Sequence, residues 1–355
     1  MPDWTQSMKQ TYRYFIVDPA TWGNKKELRN IEASTVTYDL KAETIGTASF
    51  KITGDDLGEC YVRPYVETFQ NGRTEMFPLG TFLVQTPTEN FNGMYKSIVL
   101  SAYSPLLEVK DIFPPVGYTV NKDQNIMSSV YDILKENVRV PVIPPSCDKQ
   151  LIADYVAEPS DTMLTYLSTL LNVAEYRFDL DELGRIGFMP IPRFDTLQPV
   201  WTYDDDDKSI LYHEVSTERD LYGIPNVVEV IYSGPDGAMF ATAENNDNDS
   251  PTSIKNRGRK VMLRETNPNF NGVPTKEMVQ DYADRLLEQK SSLEYTITYS
   301  HGFCPARVGQ CVRLNYKRAG LENVKAFITR QNINCEEGCK VEETATFTRK
   351  LWERK

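Results

Sequence analysis

The residues with a capacity for chemistry are few in kind: two histidines, six cysteines and fifty acids in 355 residues. His213 sits in LYHEVS and His301 in YSHGFCPA, with Cys304 three residues after His301. A Cys–His nucleophile at that spacing needs a favourable turn and a third, orienting group. An exposed or core-satisfied histidine is the stronger reading. Nucleophile-elbow, P-loop, dinucleotide, HExxH and EF-hand patterns are absent. A carboxylate pair for glycoside hydrolysis is compatible with so many acids. The densest run, Asp204-Asp205-Asp206-Asp207-Lys208, has the oxygen donors for a hard divalent cation. Its stronger reading is a solvated loop between domains whose charges repel. Cys304, Cys311, Cys335 and Cys339 do not make the two C-x2–4-C pairs of a common zinc module. Reduced thiols on strands are expected, with Cys335 and Cys339 facing each other across a tight hairpin; whether these four bind a metal stays open. No catalytic, cofactor-binding or metal-binding residue is therefore assigned.

The elements that carry these residues are mostly strands. Phe77–Glu108 reads as a hairpin: Phe82 and Val84 alternate in one arm, Ile98 and Leu100 in the other, and Asn90, Asn92 and Gly93 turn the chain. Strands are also expected at Tyr12–Val17, Ile31–Tyr38, Ala48–Thr53 and Cys60–Phe69, the last with Pro64 marking an edge or bulge. An Asn71-Gly72 turn leads to its partner at Met76. Short strands at this spacing suggest a small barrel or sandwich. After Pro114-Pro115 the period changes. Ile126, Val130, Ile133 and Leu134 predict a helix to about Asn137, capped by Asp123. Met163, Leu164, Leu167, Leu170 and Leu171 predict a second, and Tyr176–Leu180 pairs with Arg185–Met189. Beyond Trp201 strands return at Asn226–Tyr232, Val261–Arg264, Leu293–Tyr299, Val308–Tyr316, Ala326–Asn332 and Val341–Lys350. A helix starts at Pro274-Thr275 with Met278, Tyr282 and Leu286 inward. The polar loop Ala241–Arg257, with Asn245-Asn246-Asp247-Asn248-Asp249, is expected to be mobile or ordered only in an assembly.

Composition narrows the functional classes. A net charge of −11 argues against a nucleic-acid-binding groove, although negative walls suit a conduit past which DNA slides. No run approaches the ~18 apolar residues of a membrane helix. The start, MPDWTQSMKQTYRYF, lacks a signal-peptide core, so synthesis and retention in a cytosol are expected. Arg349, Lys350, Arg354 and Lys355 around Trp352 read equally well as a docking tail or a frayed terminus.

The order of elements, with Ala48–Gly54, Phe77–Thr86, Leu100–Glu108 and Ile224–Tyr232, resembles the tail hub proteins of bacteriophages. These include the baseplate hub of contractile tails and the N-terminal hub domain of tail-associated proteins of long non-contractile tails. The resemblance spans about Tyr12 to Arg349 and has no short signature. It implies a mainly β chain: two tube-like antiparallel β-barrel domains (1–112 and 216–355, the second with one helix) flanking a smaller α+β module (113–215). The barrel of the first domain should recur between about Asn226 and Arg349. The implied function is a trimeric, pseudo-sixfold ring at the distal tail end, lining the DNA exit channel. Its partners would be the tail tube or distal tail ring, a tip, spike or fibre protein, and the tape-measure protein. Neither a cofactor nor membrane insertion is implied. The place would be the virion, after synthesis in the host cytoplasm. Because the chain stops after its final strand, lytic activity is expected on another polypeptide. Two other classes remain: a cell-wall hydrolase acting through an Asp/Glu pair, and a carbohydrate-binding module using Tyr and Trp.

Overall fold

The computed structural model describes residues 2–191, 197–219, 221–234, 237–248, 250–268, 274–291 and 294–348. Asp249, Leu293 and the basic end 349–355 lie outside them. The first eight strands are β1 (Lys9–Val17), β2 (Asn24–Leu28), β3 (Ile31–Asp39), β4 (Gly46–Thr53), β5 (Tyr61–Gln70), β6 (Arg73–Pro78), β7 (Phe82–Phe91) and β8 (Lys96–Tyr103). Next come α1 (Leu106–Lys110), β9 (Thr119–Val120), α2 (Ile126–Asn137), β10 (Tyr155–Val156), α3 (Met163–Val173), β11 (Tyr176–Leu180) and β12 (Ile186–Pro190). The remainder is β13 (Pro199–Asp204), β14 (Leu211–Arg219), β15 (Val227–Gly234), β16 (Gly237–Glu244), α4 (Ile254–Arg257), β17 (Met262–Thr266), α5 (Lys276–Ser291), β18 (Glu294–Gly302), β19 (Cys311–Tyr316), β20 (Leu321–Asn334) and β21 (Lys340–Thr348).

Local chemistry explains several boundaries. Asn71 (φ 51°) and Gly72 (φ 77°) take the two left-handed positions of the β5–β6 hairpin, closed by Gln70 opposite Arg73. α2 is capped by Asn125, whose side chain accepts from Ser128 N at 2.8 Å, and not by the expected Asp123. Asp123 instead sits at φ 64°, where it turns the chain. Pro64 marks neither an edge nor a bulge. β5 is an inner strand, paired with β1 on one side and with β7 and then β6 on the other. The Pro64 carbonyl accepts from Leu79 N, so its missing N–H faces the gap between the β7-paired and β6-paired parts of β5.

The two expected barrels are not formed. Eleven strands follow one open path, β14-β18-β21-β20-β3-β4-β8-β7-β5-β1-β2, with β6, β13 and β19 attached beside it; among the described residues no pair joins its ends. The deciding contact is β20 against β3, Arg330 opposite Asp39 through Asn334 opposite Thr35. It merges strands from both ends of the chain into one sheet, so neither half closes on itself. Nor is the arrangement wholly antiparallel, since β13 runs parallel to β19 and β15 to β17. The barrel does not recur after Asn226 either: β16-β15-β17 form a separate three-stranded sheet.

The chain divides into two compact units, Met1–Val215 with Tyr299–Thr344, and Ser216–Thr298 with Ala345 onward. In the first, α2, α3 and the β11–β12 hairpin share one apolar core with Val17, Trp22, Tyr61 and Leu83 of the early strands. In the second, Val228, Val230, Ala241 and Ala243 pack against Val279 and Ala283 of α5. Tyr282 and Leu286 join this core as expected, whereas Met278 is 44% exposed because the inward stripe runs through Val279. The described part of the 241–257 segment is folded. β16 takes its start, and Asn245 Nδ2 then donates to Ser250 Oγ (2.9 Å) and Thr252 Oγ1 (3.1 Å).

Candidate functional site

Three features of the first unit bear on function: a buried polar cluster, an apolar cavity beside it, and an exposed hairpin tip. The cluster arises where β13, β18, β20 and β21 each turn a polar side chain inward. His301 and Tyr299 lie two residues apart on β18, so they share a face. Glu343 occupies an inward position in the alternating set Val341, Glu343, Ala345, Phe347, all at 2% exposure or less. His301 Nε2 lies 3.0 Å from the Tyr203 hydroxyl and 3.4 Å from Glu343 Oε1, while Nδ1 is 2.7 Å from the Gly302 carbonyl. The Tyr299 hydroxyl donates to Glu343 Oε2 at 2.5 Å, and Gln331 Nε2 donates to Glu343 Oε1 at 2.7 Å. Tyr203 Oη also sits 3.2 Å from Cys304 Sγ.

Both imidazole nitrogens therefore face acceptors, which suits the protonated ring. Burial works against that charge, but Glu343 and Cys304 outweigh it and push the His301 pKa up to about 10. Burial, and next the Glu343 charge, raise Tyr203 and Tyr299 well above the usual phenol range. His301 and Cys304 are thus brought together at the Tyr203 hydroxyl, and Glu343 is the third group. The geometry nevertheless serves the core. His301 and Glu343 are 0% exposed and Cys304 1%, and the groups satisfy one another's hydrogen bonds. Sequence reasoning missed Glu343, although an acid at an inward position of an alternating strand was a usable signal.

The cavity, about 310 Å³, lies beside this cluster, and Cys304 and Gln331 form part of its wall. Most of its lining is apolar, including Leu40, Phe77, Leu79, Phe303 and Val308. The β11–β12 turn is pinned against the strand entry at residues 80–81 by three contacts. Gly80 N donates to Glu182 O (3.0 Å), Thr81 Oγ1 to Leu183 O (2.7 Å), and the buried Arg63 guanidinium to Thr81 Oγ1 (2.7 Å) and Leu183 O (3.2 Å). Gly80 needs its φ of 104°, and a Cβ there would stand 1.9 Å from Tyr38 Oη. Arg307 spans the mouth, 3.9 Å from Asp179 and 3.6 Å from Glu182. Burial raises the Asp179 pKa, and Arg307 opposes that shift. Trp4 packs edge-on against Phe77 and Phe303, with ring centroids 5.0 and 5.4 Å apart.

The third feature is the β7–β8 tip. β7 leaves β5 after Leu83, and from Gln85 to Phe91 it is exposed. Phe91, Met94 and Tyr95 at the tip are 75%, 81% and 71% exposed. Asn92 folds this loop tightly: its Oδ1 accepts from Met94 N (3.2 Å) and Tyr95 N (2.9 Å), and Gly93 has φ 91°.

The other singled-out residues lie apart from these features. His213 is exposed on β14, and its carbonyl accepts from Tyr316 Oη at 3.1 Å. In the acidic run, Asp204 accepts from Asn315, Asp206 from Lys208 N, and Asp205 lies 3.8 Å from Arg318. Among the described residues, no group of three or more His, Cys, Asp or Glu is arranged to hold a metal ion. Cys335 and Cys339 are buried free thiols at the β20–β21 turn; burial pushes them up to about 12 and about 11.

No family model matches the chain, and no curated protein matches it. Solved structures do. A tail protein from Neisseria meningitidis MC58 is similar over 97% of this chain and 98% of its own, with a TM-score of 0.67 and 13% identity. The 43 kDa tail protein of prophage MuSo2 from Shewanella oneidensis matches over 95% and 98%, with a TM-score of 0.64 and 12% identity. Prophage tail protein gp18 from Listeria monocytogenes EGD-e matches over 94% of both chains, with a TM-score of 0.55 and 12% identity. The chain therefore has the fold of these phage tail proteins.

Proposed function

We propose that this chain is a non-enzymatic structural hub of a bacteriophage tail or a phage-derived injection particle. Three copies form a ring at the distal end, joining the hexameric tail tube or distal tail ring to the tip, spike or fibre, with the tape-measure protein as a further neighbour. DNA passes through the ring without specific binding, and the assembled protein resides in the virion. The observation that carries the reading is fold similarity to three phage tail proteins over 94–97% of this chain. Two features agree with it. The net charge of −11 suits a conduit that DNA must not adhere to. The cluster most like a nucleophilic site is closed inside the core.

The test is the mass of the purified chain by light scattering, alone and with tail-tube protein. A trimer, or a complex formed only with tube or tip protein, is expected. A stable monomer that binds neither sinks the reading.

A further inference from the structure

We infer that a second cavity of the first unit, between α3 and the β3–β4 connection, is a binding site for a monocarboxylate with a short apolar body. The inference goes beyond the hub reading and does not depend on it. The cavity is about 300 Å³, at the lower end of the range for small-ligand sites. Leu40 and Ile45 of the β3–β4 connection, Leu164 of α3 and Phe178 of β11 give it apolar walls. Its charged lining residues are Glu43 and Arg177. Glu43 is already paired with Lys110 at 2.7 Å. Arg177 is the opposite case. Among the described residues no carboxylate is paired with it, and its buried Nε has no hydrogen-bond partner. Nη2 donates to the Met189 thioether at 3.3 Å, a weak acceptor. Burial disfavours the charge. A guanidinium placed in this way costs stability until an anion completes it.

The guanidinium is held in position. It lies over the Phe327 ring, 5.3 Å from the centroid. Gly309, at φ 90°, leaves room for it, since a Cβ there would stand 3.0 Å from Nη2. Along α3, Thr165, Ser168 and Asn172 recur at helical spacing and line the same cavity. The side chains of Ser168 and Asn172 have no hydrogen-bond partner among the described residues, so a hydroxyl and an amide are available as donors. One cation with a fork of donors matches a carboxylate, which a guanidinium engages through two parallel hydrogen bonds. A phosphate dianion would bring a second charge that no lining cation meets, and an amine would face the Arg177 charge. The apolar walls then take a body of a few carbons. Free short-chain acids and the carboxyl-terminal apolar residue of a polypeptide share this chemistry.

The experiment is isothermal titration of the full chain with hexanoate, hexanamide, inorganic phosphate, and an acetylated tripeptide ending in leucine as its acid and its amide. Saturable 1:1 binding of both acids is expected, about tenfold or more tighter than the matching amides, with phosphate weaker than either acid. Arg177→Met removes the fork while keeping an apolar chain over Phe327. Asn172→Asp places a competing carboxylate on an exposed position of the cavity wall. Each variant, shown to be folded by circular dichroism, should bind the acids about tenfold more weakly or worse. Hexanoate binding at least as tightly as the peptide acid identifies a free acid as the ligand, and tighter binding of the peptide acid identifies a chain terminus; the site stands in both cases. No binding of either acid at millimolar concentration overturns the inference. So does equal binding of acids and amides, tighter binding of phosphate, or wild-type affinity in either folded variant.

Discussion

His301 Nε2 lies 3.4 Å from Glu343 Oε1, and neither side chain has any exposed surface. A charge pair buried this deeply contributes little net stability compared with an apolar pair of the same shape, but breaking it by removing one partner is costly. Glu343→Leu alone is expected to destabilise the protein by about 3–5 kcal/mol. His301→Leu with Glu343→Leu should cost less than the sum of the single changes by at least about 1 kcal/mol. Chemical denaturation of the three variants checks this, and strict additivity would contradict the pairing.

The same pair predicts a pH dependence. The folded pKa of His301 is about 10, above its ordinary 6.5. The folded state therefore holds a proton that the unfolded chain has released, and stability falls as pH rises between these values. The contribution is complete below about pH 6.5 and is lost as pH passes through about 10. Denaturation midpoints measured from pH 6.5 to 7.5, well below the ordinary thiol value of 9.0 near which the unfolded cysteines begin to ionise, should decline in the wild type. The decline should flatten in His301→Leu.

Gly80, next to the cavity-lining Leu79, is a position that requires backbone freedom. An alanine there would meet Tyr38 Oη, which donates to Leu79 O at 2.8 Å, and would hold an unfavourable φ. Gly80→Ala is expected to cost about 3 kcal/mol or more in stability. At Gly72, whose Cβ position is open, only the turn conformation is strained, so Gly72→Ala should cost about 1 kcal/mol. Urea unfolding of the two variants should reproduce this order.

Thiol reactivity tests the packing of the cysteines. Cys60 and Cys147 are half-buried, whereas Cys304, Cys311, Cys335 and Cys339 are buried. Since the thiolate is the reactive species, Cys335 and Cys339, at about 12 and about 11, should resist modification at pH 8 in the native state. A colorimetric thiol titration should count at most two reactive groups before denaturant and six after it. Early loss of Cys335 or Cys339, located by peptide mass mapping, would contradict their burial.

Much of the local structure was legible because it depends on neighbours in the chain. The Asn71-Gly72 turn, the leucine stripe of α3 and the β11–β12 hairpin are each set by residues within about one or two turns of one another. The misreadings were of another kind. Asp123 and Asn125 are both good caps, and only the backbone geometry around them selects Asn125. Pro64 looked like an edge residue because its missing N–H is locally visible, while the gap that receives it belongs to β6 and β7. Among the candidate site residues, His301 and Cys304 are close in sequence. Glu343, Tyr203 and Gln331 reach them only through strand pairing.

By itself the sequence determined many of the strands and the three longer helices, though not β2, β13, β14 or β16, together with the acidic balance and the absence of familiar catalytic motifs. Those properties follow from side-chain period, turn chemistry and composition. Only the tertiary structure decided that the sheet stays open and that a His–Glu–Tyr cluster is buried where β13, β18, β20 and β21 meet. Thr37 and Asn332, hydrogen-bonded at 3.0 Å across the β3–β20 pair, are 295 residues apart. A ladder between such distant strands leaves no periodic trace in either one, because each needs only a compatible edge and an apolar face.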